Sequence, residues 1–341
     1  EIYSPTAKFD VIRLILVLVV KFGWTLNQYD VAGAYLYGDI QRELYMKIPE
    51  GYSKADPTKE ALRLRKSIYG LKVSSKNWSK KIMEILSKIK ISPLVSEPCV
   101  LVDKQNPNAV ILVIFVDDML ATGSSPERID EVMSYLAKQI EIRCLGSPKK
   151  FLGVEIYRDE NEITLSQKGY ILDAVKRYGI GRRVYNTPME YGLNIVRPNV
   201  PDPEIHVREI VGTLMYAALA TRPDIVYATN YISRFQSTPN SELLSYAKRI
   251  LAYLNNTSHF CLRICRHNST DLKIDLYTDA SFATDRNGYY STTGILVNVA
   301  NNPVVWRTVK QRSIAKSSSE AEALAMSRGE SDARYLTNVL G

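Results

Sequence analysis

Asp117 and Asp118 stand side by side at the end of an apolar run, Val110-Ile111-Leu112-Val113-Ile114 followed by Phe115-Val116. A run of that composition reads as a strand buried on both faces. Carboxylates at its end sit where the chain re-emerges and must find water, hydrogen-bond donors or cations. Asp30 ends a second strand-like segment, Leu26-Asn27-Gln28-Tyr29-Asp30-Val31, and Ala34-Tyr35 follow it. Three acids so placed point to divalent-metal chemistry, although Asp-Asp after a strand is also ordinary turn chemistry. From the pair alone the turn is the simpler reading. A second acidic pair lies near the end of the chain, where Asp279 closes Ile274-Asp275-Leu276-Tyr277-Thr278 and Glu322 falls one turn into a closing helix. Hard cations prefer carboxylate oxygens, so this too is a plausible magnesium site. Ser319 and Glu322 also have capping-box spacing, which would turn the glutamate back to the helix start.

His259, Cys261, Cys265 and His267 are zinc-type ligands but do not suit one ion. On the strand that this segment resembles they would share one face across ~26 Å, whereas zinc needs tetrahedral ligands near ~2.0–2.3 Å.

The elements that must position these residues follow from periodicity and punctuation. A helix is expected to Phe22, a strand into Asp30, and paired strands over Val100 to Asp103 and Val110 to Phe115. Ser125 and Pro126 supply an N-cap and a first-turn proline, and Ile129, Val132, Met133 and Leu136 form the apolar stripe of the next helix. Strands over Phe151 to Tyr157 and Glu162 to Leu165 join around Glu160-Asn161, and a helix runs to Tyr178. This is an α+β order built on antiparallel hairpins. The proline-marked stretch from Thr187 to Pro203 reads as a linker. Helical sequence then runs from Val207 to Leu254, broken at Arg222-Pro223 and Thr238-Pro239. Strands are expected over Leu272 to Thr278 and Thr293 to Val299, with a hairpin turn at Asn301-Asn302-Pro303 and a last helix from about Ser319.

With 341 residues the chain should form two or three domains with ample core. Four scattered cysteines make no disulfide framework and favour a reducing compartment. The apolar run from Val11 to Val20 contains Arg13 and falls short of the ~18 residues of a membrane helix, so it reads as buried in protein. Glu1 in place of Met, with organised sequence directly after it, suggests a piece of something longer. The net charge is +8, and the segment from Lys59 to Lys90 alone has ten basic residues against Glu60 and Glu84. Its second half is an amphipathic helix with Trp78, Ile82, Ile85, Leu86 and Ile89 on one side and lysines mostly elsewhere. The segment suits either a polyanionic partner or a solvated lysine face.

These residues also carry a family resemblance. Gln28-Tyr29-Asp30-Val31-Ala32-Gly33-Ala34-Tyr35-Leu36-Tyr37-Gly38, Leu44-Tyr45-Met46 and Pro49-Glu50-Gly51-Tyr52 resemble the opening of a copia-type retrotransposon reverse transcriptase. The order continues through Lys66-Ser67-Ile68-Tyr69-Gly70-Leu71-Lys72 with Trp78, Phe115-Val116-Asp117-Asp118, Phe151-Leu152-Gly153-Val154-Glu155-Ile156 and Thr221-Arg222-Pro223-Asp224-Ile225. Tyr277-Thr278-Asp279, Ser291-Thr292-Thr293-Gly294 and Ser317-Ser318-Ser319-Glu320-Ala321-Glu322 resemble the ribonuclease H part of the same Pol polyprotein. An ordered set of this length is far more specific than any one motif.

The resemblance implies a palm and thumb with an antiparallel palm sheet over residues 1–186, most of the fingers lying outside the chain. A linker and helical connection would follow over 187–268, and an α/β ribonuclease H-like domain, incomplete at its C-terminal end, over 269–341. Asp30 and Asp117 would hold two Mg2+ ions, or Mn2+ in their place, with Asp118 in support. Tyr35 would lie under the incoming sugar and reject a 2′-hydroxyl, and Lys72 would meet the nucleotide. Phe151, Leu152 and Gly153 would form the primer grip, while Asp279 and Glu322 would bind the metals that cut RNA in a hybrid. Glu322 matches the family's acidic helix better than Glu320 does. The implied partners are an RNA template, a DNA primer, dNTPs, an RNA–DNA hybrid and the rest of a Pol polyprotein, inside the cell in a virus-like particle or the nucleus, with no membrane.

Val73 and Ser75 depart from the family pattern, standing where glutamine and proline are usual, and Phe115 replaces a usual tyrosine. The triphosphate-binding finger strands would precede Glu1, and the aspartate completing the ribonuclease site would follow Gly341. Two functions stay open at this stage: an RNA-directed DNA polymerase, or an inactive transposon relic that keeps its fold and its nucleic-acid binding.

Overall fold

The computed structural model describes residues 6–52, 56, 60–181, 183–196, 200, 202–267, 271–285 and 288–340. Lys59 of the basic segment, residues 197–199 and 201 of the linker and residues 268–270 at the expected domain boundary lie outside that set.

Contacts divide the chain into two compact units that do not follow chain order. Helix α1 (Phe9–Phe22) is buried continuously from Asp10 to Val20, as an all-round apolar helix must be. It belongs to the second unit, with Lys149–Gly341, while the first unit takes Glu1–Lys8 and Trp24–Pro148.

The first unit contains β1 (Thr25–Val31), the short pair β2 (Tyr45–Met46) and β3 (Leu62–Arg63), and α2 (Ser74–Ser87). β4 (Ile91–Pro93), β5 (Val100–Asp103), β6 (Ile111–Phe115), β7 (Asp118–Gly123), α3 (Pro126–Ala137) and β8 (Ile142–Gly146) complete it. Six strands make one sheet in the order β4-β5-β6-β7-β1-β8, antiparallel throughout. One face of this sheet carries Tyr29, Val31, Leu112, Ile114, Met119 and Ala121, which share a core with Trp78, Ile82 and Leu86 of α2 and Ile129, Val132 and Leu136 of α3. Alternation sends Gln28, Asp30 and Asp118 to the other face. α3 begins as its sequence indicates: Ser125 Oγ accepts the Arg128 amide at 3.2 Å, with Pro126 in the first turn.

The second unit joins α1 to β9 (Lys150–Phe151), β10 (Val154–Arg158), β11 (Glu162–Ser166) and α4 (Lys168–Arg177). The helices α5 (Val207–Ala220), α6 (Val226–Ser233) and α7 (Ser241–Asn256) follow. The chain ends with β12 (Leu262–Cys265), β13 (Ile274–Asp285), β14 (Tyr290–Val299), β15 (Asn302–Lys310) and α8 (Ser318–Leu340). Its sheets run β12-β11-β10-β9 and β13-β14-β15, both antiparallel. The strand expected over Phe151 to Tyr157 is two strands, because Leu152 and Gly153, both at positive φ, turn the chain between the paired residues Phe151 and Val154. β13 also outruns its expected end at Thr278, carrying Asp279 within the strand instead of after it.

Arg13, the one charge in the apolar run of α1, is held by four bonds: from Nε to the Val304 carbonyl at 2.7 Å, to the Leu219 and Ala220 carbonyls at 2.7 and 2.9 Å, and to Asp10 Oδ1 at 2.6 Å. Its guanidinium stacks 3.8 Å from the Trp306 ring centroid. Asp10 also accepts from Arg307 at 2.7 Å, and Arg307 reaches Asp332 at 3.0 Å. Burial, chiefly, brings the Arg13 pKa down to about 10, with Asp10 opposing that shift. Among the described residues no helix is long and apolar enough to cross a membrane.

Candidate functional site

β6 and β7 meet in a two-residue hairpin, with Phe115 paired to Asp118, so Val116 and Asp117 form the turn. Val116 is left-handed at φ 58° while Asp117 keeps negative φ, a pattern that ordinarily places glycine first. A β-branched residue there is an outlier and stores on the order of 1–3 kcal/mol. Two neighbours hold the turn: the Trp78 indole Nε1 donates to the Val116 carbonyl at 2.6 Å, and the Val31 amide donates to the Asp117 carbonyl at 2.9 Å.

β1 lies next to β7 with Asp30 directly opposite Asp118. Residues so paired project to the same face, which brings the end of one strand to the turn of the other two. Gln28, two residues before Asp30 and on the same face, donates Nε2 to Asp118 Oδ1 at 3.2 Å. Burial, first, raises the Asp118 carboxyl above the ordinary range; the Gln28 bond opposes the shift, and the charges of Asp117 and Asp30 add to it. The three acids therefore lie within electrostatic reach of one another. Because Asp117 sits in the turn and not on the strand, strand alternation does not oppose its neighbour Asp118.

Tyr35 follows on a 3-10 turn over Ala34–Tyr37, its ring edge-on to Tyr69 at 4.8 Å between centroids. Tyr69 is well exposed, and its phenol is shifted up by partial burial first and then by Asp117, Tyr35 and Asp30, which sets that ring beside the acids. The loop carrying Tyr69 is tied to α2 by Ser74 Oγ on the Ile68 carbonyl at 2.6 Å and by Asn77 on Ser67 Oγ at 3.0 Å. Lys72 is exposed in the turn before α2, and Val73 occupies the N-cap without a side-chain cap bond. The basic segment is less positive in space than along the chain: Asp39 pairs with both Lys66 and Lys81, and Glu43 pairs with Arg63.

In the second unit the Leu152-Gly153 turn is clamped by Tyr216, whose hydroxyl donates to the Leu152 carbonyl. The Tyr216 ring packs edge-on to Phe9 at 5.7 Å and tilted against Tyr170 at 4.7 Å. Phe151 is buried. The amide of Ala280, next to Asp279, donates to Glu322 Oε1 at 3.1 Å, which sets Glu322 against the β13 backbone beside Asp279. The cap of α8 is a different pair: Ser317 Oγ accepts the Glu320 amide at 3.2 Å, and Glu320 accepts the Lys316 amide at 2.7 Å. Glu322 is thereby left for β13. Gly329 lets α8 approach so closely, for a Cβ there would lie 2.5 Å from Thr278 Cγ2.

Both acidic groups offer carboxylate oxygens alone, the donor type that suits Mg2+ or Mn2+. The mutual repulsion at Asp118 is what a bound cation would relieve. Among the described residues no three metal-ligating side chains are yet gathered around one point; that holds for the His259 to His267 segment too. Gln28 and Tyr69 were not singled out by sequence reasoning, although the i, i+2 spacing of Gln28 from Asp30 was a usable signal.

Residues 1–190 match the family described as reverse transcriptase (RNA-dependent DNA polymerase). The chain belongs to the copia-type reverse transcriptase family. The retrovirus-related Pol polyprotein from transposon RE1 of Arabidopsis thaliana is 31% identical over 352 residues, taking in 100% of this chain and 23% of the polyprotein. That from transposon TNT 1-94 of Nicotiana tabacum is 32% identical over 337 residues, 95% of this chain and 25% of the polyprotein. The putative transposon Ty5-1 protein of Saccharomyces cerevisiae is 29% identical over 307 residues, 87% of this chain and 98% of that protein. The chain thus spans about a quarter of the plant Pol polyproteins that it matches. It is a copia-type Pol region of mixed α and β structure with antiparallel sheets.

Proposed function

We propose that this chain is the RNA-directed DNA polymerase core of a copia-type Pol polyprotein, with a ribonuclease H-like part attached. The observation that carries the reading is the meeting of Asp30 with the Asp117-Asp118 turn across the β1–β7 pair. The six-stranded sheet is then the palm, the Phe151-Leu152-Gly153 hairpin the primer grip in a thumb-side sheet, and β13, β14, β15 and α8 the ribonuclease H-like part.

Asp30 and Asp117 are the residues that would hold Mg2+, or Mn2+ in its place. Bound there, the metal supplies Lewis-acid activation of the primer 3′-hydroxyl and neutralises charge on the triphosphate. Asp118 supports them, its carboxylate kept on the sheet face by Gln28. Tyr35, braced by Tyr69, walls the sugar side, and Lys72 adds positive charge for the nucleotide. The primer 3′-oxygen bonds to the α-phosphorus as the bond to pyrophosphate breaks. Asp279 and Glu322 play the metal-holding part against the RNA strand of a hybrid. The partners are an RNA template, a DNA primer, dNTPs and the remaining Pol segments, within the cell in a virus-like particle or the nucleus.

Primer extension on an RNA template with Mg2+ tests this. Incorporation by the chain that Asp117→Asn abolishes supports it; salt-sensitive nucleic-acid binding with no incorporation overturns it.

A further inference from the structure

We propose that Trp78 is a positioning residue for Asp117, holding the turn through the carbonyl of Val116. The proposal rests on the reading of Asp117 as a polymerase acid. A two-residue hairpin with a left-handed first residue normally relies on glycine for that shape; here valine adopts it at φ 58°. Something outside the turn must therefore favour the strained form over relaxed alternatives, each of which would rotate the 116–117 peptide and re-aim Asp117.

The contacts identify what does so. Val116 borders a small cavity of about 20 Å3, also lined by Trp78, Met83, Cys99 and Ile114, so part of its surroundings is open space. The Val116 carbonyl instead takes the indole N–H of Trp78 at 2.6 Å. That indole is fixed in its turn: Trp78 is 2% exposed in α2, and its ring lies 6.2 Å from that of Tyr37. An indole nitrogen only donates. A turn that withdrew the carbonyl would leave this donor buried and unpaired, which is costly. With the Asp117 carbonyl held by Val31, both turn carbonyls are pinned from neighbouring elements, and the backbone that carries the acid is fixed.

Trp78→Phe deletes the donor while keeping an aromatic ring. In primer extension with Mg2+ it should lower kcat by roughly 10- to 100-fold, the order expected of a ~1 Å misplacement, with KM for the dNTP within about twofold. Adding Val116→Gly, which takes positive φ freely, should recover most of the lost kcat. Hydrogen exchange across residues 115–119 gives a readout independent of catalysis: it should quicken at least about tenfold in Trp78→Phe and slow again in the double variant. A Trp78→Phe kcat within about twofold of the parent, no recovery by glycine, or unchanged exchange each overturns the positioning role. If the parent shows no Asp117-dependent incorporation, the polymerase reading fails, and the exchange measurement alone decides whether Trp78 holds the turn.

Discussion

Gln28 donates its side-chain amide to Asp118 across the β1–β7 pair, at 3.2 Å. That bond favours the charged form of Asp118, against burial and the charges of Asp117 and Asp30. Gln28→Leu removes that donor and lets the carboxyl pKa rise further. The acid limb of the pH–rate profile for nucleotide incorporation should move to higher pH, with the alkaline limb unmoved. A profile superimposable on that of the parent would show that the bond does not tune the site.

Burial, with the charges of Asp117 and Asp30 behind it, also makes Asp118 a liability to the fold. A carboxyl with a raised native pKa binds more protons folded than unfolded, so its charge lowers stability as pH rises through that pKa. Asp118→Asn should therefore raise the melting temperature near pH 7 by a few degrees, the shift that ~1 kcal/mol gives in a domain of this size, while depressing incorporation. The gain should shrink at low pH, once the parent carboxyl has taken up its proton. Calorimetry at the two pH values checks the sign.

Arg13 satisfies three carbonyls and Asp10 from inside an apolar helix. Arg13→Leu leaves those groups buried without their donor and should cost about 3–5 kcal/mol, as breaking a buried ion pair does. Arg13→Lys should recover only part of this, because an ammonium cannot reproduce the guanidinium's planar fork. Urea denaturation measures both.

Gly153 stands at φ 80°, and a Cβ on it would lie 2.6 Å from the Tyr216 hydroxyl. Gly153→Ala should destabilise the second unit by roughly 1–3 kcal/mol through backbone strain and overpacking. Tyr216→Phe, which loses the bond to Leu152 and keeps the ring, should cost nearer 1 kcal/mol. Equal losses in thermal denaturation would show that the clash is not what glycine avoids.

Glu320 and Glu322 have separable duties. Glu320→Ala should destabilise α8 by about 0.5–2 kcal/mol through loss of its cap and leave any hybrid cleavage largely intact. Glu322→Gln should do the reverse. Circular dichroism melting paired with a hybrid-degradation assay distinguishes them.

The elements around the Val116-Asp117 turn were legible because several local signals agreed: Ser125-Pro126 for α3, an apolar run for β6, and a short alternating strand ending at Asp30. What escaped depended on contacts distant in sequence or on competing local patterns. Ser317–Glu320 and Ser319–Glu322 have the same spacing, and nothing local says which of the two begins the helix. Leucine gives no warning of positive φ, so the Leu152-Gly153 turn was hidden inside an apolar stretch. The positive charge of the segment around α2 was overstated in sequence because Asp39 and Glu43, which match part of it, lie outside the window counted.

Helix α1 interrupts the first unit in the chain, between Lys8 and Trp24, yet packs in the second. During synthesis it is therefore made long before Val304, Leu219 and Trp306, the groups that receive Arg13. Strands β11, β12 and β15 all pack on α1, so its apolar surface is covered in steps that end only when the ribosome has delivered β15. A nascent chain interrupted before that strand would carry a hydrophobic helix with part of its surface still uncovered.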